Sequence, residues 1–501
     1  MKAWISPYTN LVDPASSVIL LVADGARVDT LRAALAGGAL PALARLADEG
    51  GYHTITTVFP SVTGPAYVPF LMGHFPGAAG MPGLRWYDRS REHCGAPAHA
   101  RSYVGWEMGQ VDRDLTPAMP TLFELAPSSL GALSVITRGL PKAQRVEGGV
   151  RFAARAAWTH LRGDVRGWLA IDRDVGDQIV RRVREERPAL TFAAFTGVDK
   201  TSHAAGHGAP IVLDALRIVD DVVARLRADA EARGTWERTH LWIVSDHGHS
   251  PVTQHDDLAD VMRGLGLRVL AHPRVLTRAP QVAVMVSGNA MAHIYLGLSS
   301  RTPLGWDALK NHMTGAMTND GIAKTLLARP SVDLMILPNG ANDTSARGAC
   351  EIHTRDRGSA VLMWRGDSFT YDPMHGDPLG LGTLRDVSAD EMYRLSLDTD
   401  YPDAPVQLAA LCSAPRTGDI IVSAARGWDY RARYEPIPHA SSHGALHREH
   451  MLVPFLTNHP VQHTPRRTID VMPSAAALLG CRAHGAVGDV FTDSPIVRGT
   501  P

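Results

Sequence analysis

The stretch Leu241-Trp242-Ile243-Val244-Ser245-Asp246-His247-Gly248-His249 runs from an apolar segment straight into an adjacent carboxylate and imidazole. A short run of this kind predicts a strand buried on both faces. Asp and His at its end need a partner if they are buried, either an ion pair or a metal. Three further runs share the pattern: Val18 to Ala23 before Asp24-Gly25, Leu190 to Val198 before Asp199, and Asp419 to Ser423 before Ala424-Ala425-Arg426-Gly427. Between them Val212, Leu216, Val219, Val223 and Leu226 form a helical stripe that Gly234 stops. Thr468 to Leu479 predicts a second, short amphipathic helix, with Pro473 limiting where it starts. Strands alternating with helices predict an α/β fold with a mostly parallel central sheet flanked by helices. Function in such sheets collects at the carboxyl ends of the strands, where Asp24, Asp199 and Asp246 fall.

Composition narrows the function classes. The 501 residues are 45% hydrophobic and 20% charged, which excludes general disorder. Fifty basic against 51 acidic residues give a formal net charge of -1, so composition offers no basic patch for a nucleic-acid polymer and no acidic tail. The longest apolar runs are too short to span a membrane. The start, MKAWISPYTNLVDP, lacks an apolar signal core and a small-residue cleavage site, so a cytoplasmic location is the expectation. Cys94, Cys350, Cys412 and Cys481 lie far apart and form no disulfide framework, in keeping with a reducing compartment. The 23 histidines are many for this length and raise the question of a metal.

Residues 255–411 differ, with Pro and Gly clusters, a helical patch near Pro303 to Leu327 and an acidic segment from Asp386 to Asp403. They read as an insertion or cap that shapes the substrate pocket, set into a core of 1–254 and 412–501. Trp364, Tyr371, Met374 and His375 could line that pocket, although such residues more often simply pack.

Asp199 and His203 stand four apart, so a helical turn would face both the same way and suit one divalent metal; an N-cap aspartate is the plainer alternative. His439, His443, His447 and His450 have near-helical spacing, but Pro438 and Gly444 argue for a loop that contributes one histidine, the others being surface or supporting residues. In Phe59-Pro-Ser-Val-Thr63-Gly-Pro-Ala-Tyr67 the hydroxyl of Thr63 sits between prolines, as an exposed nucleophile or an ordinary cap. No GxSxG elbow, Walker A loop or GxGxxG after a strand is present.

In this order Asp24, Thr63, Asp199 with His203, Asp246-His247 and His443-Gly444 resemble the alkaline phosphatase superfamily, and most closely its nucleotide pyrophosphatase/phosphodiesterase branch. The stretch from Thr63 through Gly73-His-Phe-Pro76 and Gly80 to Tyr87-Asp88 is similar to that branch's nucleophile helix and following loop. The resemblance covers roughly 16–255 and 415–495, and phosphonoacetate hydrolases share the threonine nucleophile. It implies two divalent metal ions, zinc by preference. Asp199, His203 and His443 would hold one; Asp24, Asp246, His247 and Thr63 would hold the other. It further implies hydrolysis of a small phosphate ester or phosphonate through a phosphothreonine at Thr63, with a phosphodiester as the first expectation. A phosphomonoesterase, a phosphonate (C–P) hydrolase, or a non-catalytic metal-binding protein on the same fold are the alternatives. A sulfatase is disfavoured because Thr63-Gly-Pro-Ala lacks the required CxPxR-type motif. The branch places a phosphate-binding asparagine where this chain has Leu84 followed by Arg85. Arg85 could take over that oxygen, or be a surface arginine covering Trp86.

Overall fold

The strand Ser17–Ala23 divides its side chains between two apolar layers. Val18, Leu20 and Val22 pack into one, Ile19, Leu21 and Ala23 into the other. A strand so enclosed belongs at a sheet's centre. The computed structural model puts it there, in a six-stranded sheet ordered Gly51–Thr56, Leu452–Thr457, Thr239–Val244, Ser17–Ala23, Leu190–Phe195, Ser129–Ala132. The last four strands are mutually parallel. Leu452–Thr457 is antiparallel to Thr239–Val244, and Gly51–Thr56 is antiparallel to it in turn. The sheet is thus mostly parallel, as the alternation of elements predicts. The structure describes residues 16–90, 100–146, 150–272, 277–339, 347–430 and 439–492; the first 15 residues, Cys94 and Pro438 lie outside them.

Helices Val165–Glu186 and Pro210–Ala232 cover one face of this sheet. All five residues of the predicted stripe in the second helix are buried, and Gly234 follows with φ +65°. Among the described residues no helix is long and apolar enough to cross a membrane.

Two expectations about strands are corrected. The run from Leu190 is a strand only to Phe195; helix Gly197–Ala205 then begins, so Asp199 stands in a helix's first turn and not at a strand end. The cause is a long-range cap: the Asp172 carboxylate accepts from the backbone N–H of Thr196 at 3.2 Å and of Gly197 at 2.6 Å. The run at 419–423 is indeed a strand, Ile420–Ala424, but it joins a second, nine-stranded sheet, antiparallel to both of its neighbours there. The other eight strands of that sheet lie between Val269 and Ser388. Trp364 and Tyr371 pack in its apolar core rather than lining a pocket.

Two contacts tie the second sheet to segments outside it. Arg89, just past the short strand Arg85–Tyr87, forms a fully buried ion pair with Asp419. The same carboxylate accepts from the N–H of Leu296 at 2.6 Å and Leu304 at 2.7 Å. The hairpin of Val282–Ser287 and Met291–Tyr295 also presents its turn to the loop after Ser441–Ser442, where Ala290 N–H donates to His443 O at 3.1 Å.

Candidate metal centre and nucleophile

Three neighbouring parallel strands deliver the acidic residues to one edge. Asp24 directly follows Ser17–Ala23, Asp246 follows Thr239–Val244 by two residues, and Asp199 rides on the helix after Leu190–Phe195. All three carboxylates are at most 1% exposed. Thr63 lies in the turn ahead of helix Tyr67–Met72, four residues before it, so it does not open the helix.

Two groups of donors result. In the first, Thr63 Oγ1 is 3.1 Å from Asp24 Oδ1 and 3.1 Å from His247 Nε2. His247 Nε2 is also 3.3 Å from Asp24 Oδ1 and 3.5 Å from Asp246 Oδ2. In the second, Asp199 Oδ1 is 3.2 Å from His203 Nε2, 3.0 Å from His249 Nε2 and 3.5 Å from His443 Nε2. The parallel rings of His247 and His443, 3.6 Å apart, join the groups. Every metal-ligand residue read from the sequence is therefore in one of two adjoining clusters. The loop reading of His443 agrees with the structure. Of the two alternatives for His447 and His450, surface or supporting, the structure excludes the first: both are buried, His450 accepting from Ala445 N–H at 2.9 Å, two residues after His443.

The donor spacing fits divalent cations. Bonds of ~2.0–2.1 Å to four tetrahedral donors would put those donors ~3.3 Å from one another. Asp246 Oδ2, fully buried, has no hydrogen-bond partner, which a protein tolerates where a ligand completes the site. The electrostatics agree. Burial and the neighbouring Asp24 push the Asp246 carboxyl far above its usual range. Burial pulls His247 down, but Asp246 and Asp24 outweigh it and push the imidazole up to about 9. At Asp199 burial opposes ionisation, yet Lys200, 2.8 Å away, together with His203 holds the carboxyl well below normal. A cluster that takes up protons to balance its carboxylates is also one that takes up cations.

Arg85 is 7% exposed and donates from Nη1 to Val286 O at 3.3 Å. It is not a surface residue, and the guanidinium near the Trp86 ring is that of Arg416, at 6.0 Å. Its charge acts on Tyr103, a buried phenol whose pKa burial, Asp24 and Asp246 push well above normal. The Tyr103 ring packs so closely on Gly64 that a Cβ there would lie 2.4 Å from it. Tyr103, Asp172 and His249 have no role in the sequence reading. Only His249 carried a local signal: two residues beyond His247 on extended chain puts both on one side.

A family model described as Type I phosphodiesterase / nucleotide pyrophosphatase matches residues 18–446. Among solved structures, phosphonoacetate hydrolase from Sinorhizobium meliloti in complex with phosphonoformate is similar at a TM-score of 0.54 and 17% identity, over 93% of this chain and 96% of that one. Murine ectonucleotide pyrophosphatase/phosphodiesterase 5, an inactive variant in complex with AMP, gives 0.53 and 15% over 95% and 97%. The human form gives 0.54 and 14% over 94% and 97%. No protein of curated function matches the sequence.

Proposed function

Because the chain belongs to the type I phosphodiesterase/nucleotide pyrophosphatase family of the alkaline phosphatase superfamily, we propose that it is a two-cation hydrolase of phosphoric esters, acting first on phosphodiesters, with Thr63 as nucleophile. The observation that carries this reading is the Thr63 hydroxyl, 3.1 Å from both the Asp24 carboxylate and the His247 imidazole. Asp24, Asp246, His247 and Thr63 would hold one cation; Asp199, His203 and His443 would hold the other. Zinc suits a donor set of imidazoles and carboxylates at this spacing. When bound, the cations supply positive charge that outweighs three carboxylates, favours the threonine alkoxide and offsets charge on the phosphoryl oxygens.

The chain's own residues supply the rest. Thr63 Oγ1 gives its proton to solvent, which returns one to the leaving oxygen, and attacks phosphorus. The new Oγ1–P bond forms as the bond from phosphorus to one ester oxygen breaks, and that oxygen leaves as the alcohol once protonated. A diester then leaves Thr63 phosphorylated and still carrying its second ester group. Water attacks the same phosphorus, the Oγ1–P bond breaks, and Thr63 regains its proton. Arg85 would hold a non-bridging oxygen with its planar fork. The insertion, 255–411, would shape the pocket; in its support, Val286 and Ser287 meet the backbone and side chain of Leu84-Arg85.

The test compares cation-loaded protein on a bis-nitrophenyl phosphodiester and a nitrophenyl monoester, with Thr63→Ala as blank. The diester is expected to turn over faster. Thr63→Ala is expected to lose ~10⁴-fold or more in kcat at unchanged cation content. Monoester preference would replace the diester reading by a phosphomonoesterase. Silence on both and on a phosphonate, with two cations bound, would leave a non-catalytic metal-binding protein.

A further inference from the structure

The imidazoles around Asp199 carry their protons in a fixed sense. A backbone carbonyl only accepts, so His203 Nδ1 is the donor to Ser441 O at 2.8 Å, and His443 Nδ1 the donor to Ser61 O at 3.0 Å. A ring bonded in this way has Nε2, the atom that faces Asp199, left for a lone pair when it is neutral, as a cation ligand must be. His249 obeys the same logic through a hydroxyl. Ser441 Oγ donates its one proton to Ser202 O at 2.7 Å, so toward His249 Nδ1, at 3.2 Å, it only accepts. His249 Nε2 is then also a lone pair, 3.0 Å from Asp199 Oδ1. Three nitrogen lone pairs thus converge on one carboxylate oxygen. No single proton satisfies all of them; a cation among them does.

We propose that His249 is a third imidazole ligand of the cation held by Asp199, His203 and His443, an addition that rests on the two-cation reading above. The ring is fully buried and stands edge-on to His203 and His443, with centroids 4.9 and 5.1 Å away. The fold makes room for it: Gly25, at φ +77°, lies where a Cβ would come 2.8 Å from His249 Nε2 and 3.2 Å from the Asp199 Cα. One carboxylate and three imidazoles would give this ion four protein donors. The other cluster reaches four donors only by counting Thr63, the attacking group. The two ions therefore differ in affinity, and the one at Asp199 binds first.

Two measurements on the full chain decide this. X-ray absorption of wild-type protein carrying one equivalent of zinc counts the imidazoles on the ion. Three support the proposal; two or fewer overturn it. Zinc titration with elemental analysis then compares wild type, Thr63→Ala, His249→Ala and the volume-conserving His249→Met. Both His249 variants are expected to hold one of the two ions at least ~10–100-fold more weakly, with a changed visible spectrum when cobalt replaces zinc. Wild-type affinity and an unchanged cobalt spectrum in both variants would overturn the proposal and leave the two-cation reading standing. A wild-type chain that binds no divalent ion would remove the two-cation reading, and the role of His249 with it.

Discussion

Asp24, Asp246 and Asp199 are buried carboxylates, and the protein gathers histidines around them. The proposed function divides the site residues into those that would face a cation and those that would face the substrate, and Arg85 would belong to the second kind. It is buried, and its Nη1 donates to Val286 O. A charge-assisted hydrogen bond contributes about 1.5–3 kcal/mol, roughly 10–100-fold in equilibrium terms. Arg85→Ala should therefore raise KM for the preferred ester by at least about tenfold, with cation content unchanged, and Arg85→Lys should restore only part of the loss because it lacks the planar fork. Steady-state kinetics with elemental analysis check this. A variant with wild-type KM and kcat would remove Arg85 from the site.

Among the elements, helix Gly197–Ala205 matters most, since it carries both Asp199 and His203. Its start is fixed from outside by Asp172 on helix Val165–Glu186. Gly197 is required there, for a Cβ would lie 2.6 Å from Asp172 Oδ2. Asp172→Ala leaves two backbone N–H groups without their acceptor, at a cost of about 2–4 kcal/mol. The expected result is a lower melting temperature and about tenfold weaker uptake of the ion at Asp199, both read by thermal melting across a zinc titration. Unchanged melting and uptake would show that the helix start is held by something else. This element also shows what a sequence reveals locally. The four-residue spacing of Asp199 and His203 was legible, because a helix brings such pairs together. The place where the strand gives way to the helix was not, because the cap lies 24 and 25 residues earlier in the chain.

Over the whole molecule, the site stands where the carboxyl edge of one sheet meets a hairpin turn of another. The central sheet was legible because burial on both faces makes its strands continuous apolar runs. Asp24 and Asp246-His247 could therefore be placed at strand ends from the sequence. Strand Ile420–Ala424 reads equally well as a strand, but a short apolar run does not say which sheet it joins or in which direction. His443 was reached by resemblance alone. Its position depends on Ala290 N–H and on Gly288, where a Cβ would lie 2.9 Å from His443 O, and these partners are more than 150 residues away in sequence. The second sheet thus holds the His443 backbone and the Arg85 guanidinium, which in the proposed function would be a cation ligand and a phosphate-binding group. That the assembled site works by covalent attack from Thr63 can be tested directly. Cation-loaded protein is mixed with the bis-nitrophenyl diester and quenched in acid, and the peptide containing Thr63 is weighed by mass spectrometry. The expected peptide bears a phosphoryl group with one nitrophenyl ester still attached, and is absent from Thr63→Ala. Turnover with Thr63 unmodified and Thr63→Ala still active would contradict covalent attack from Thr63.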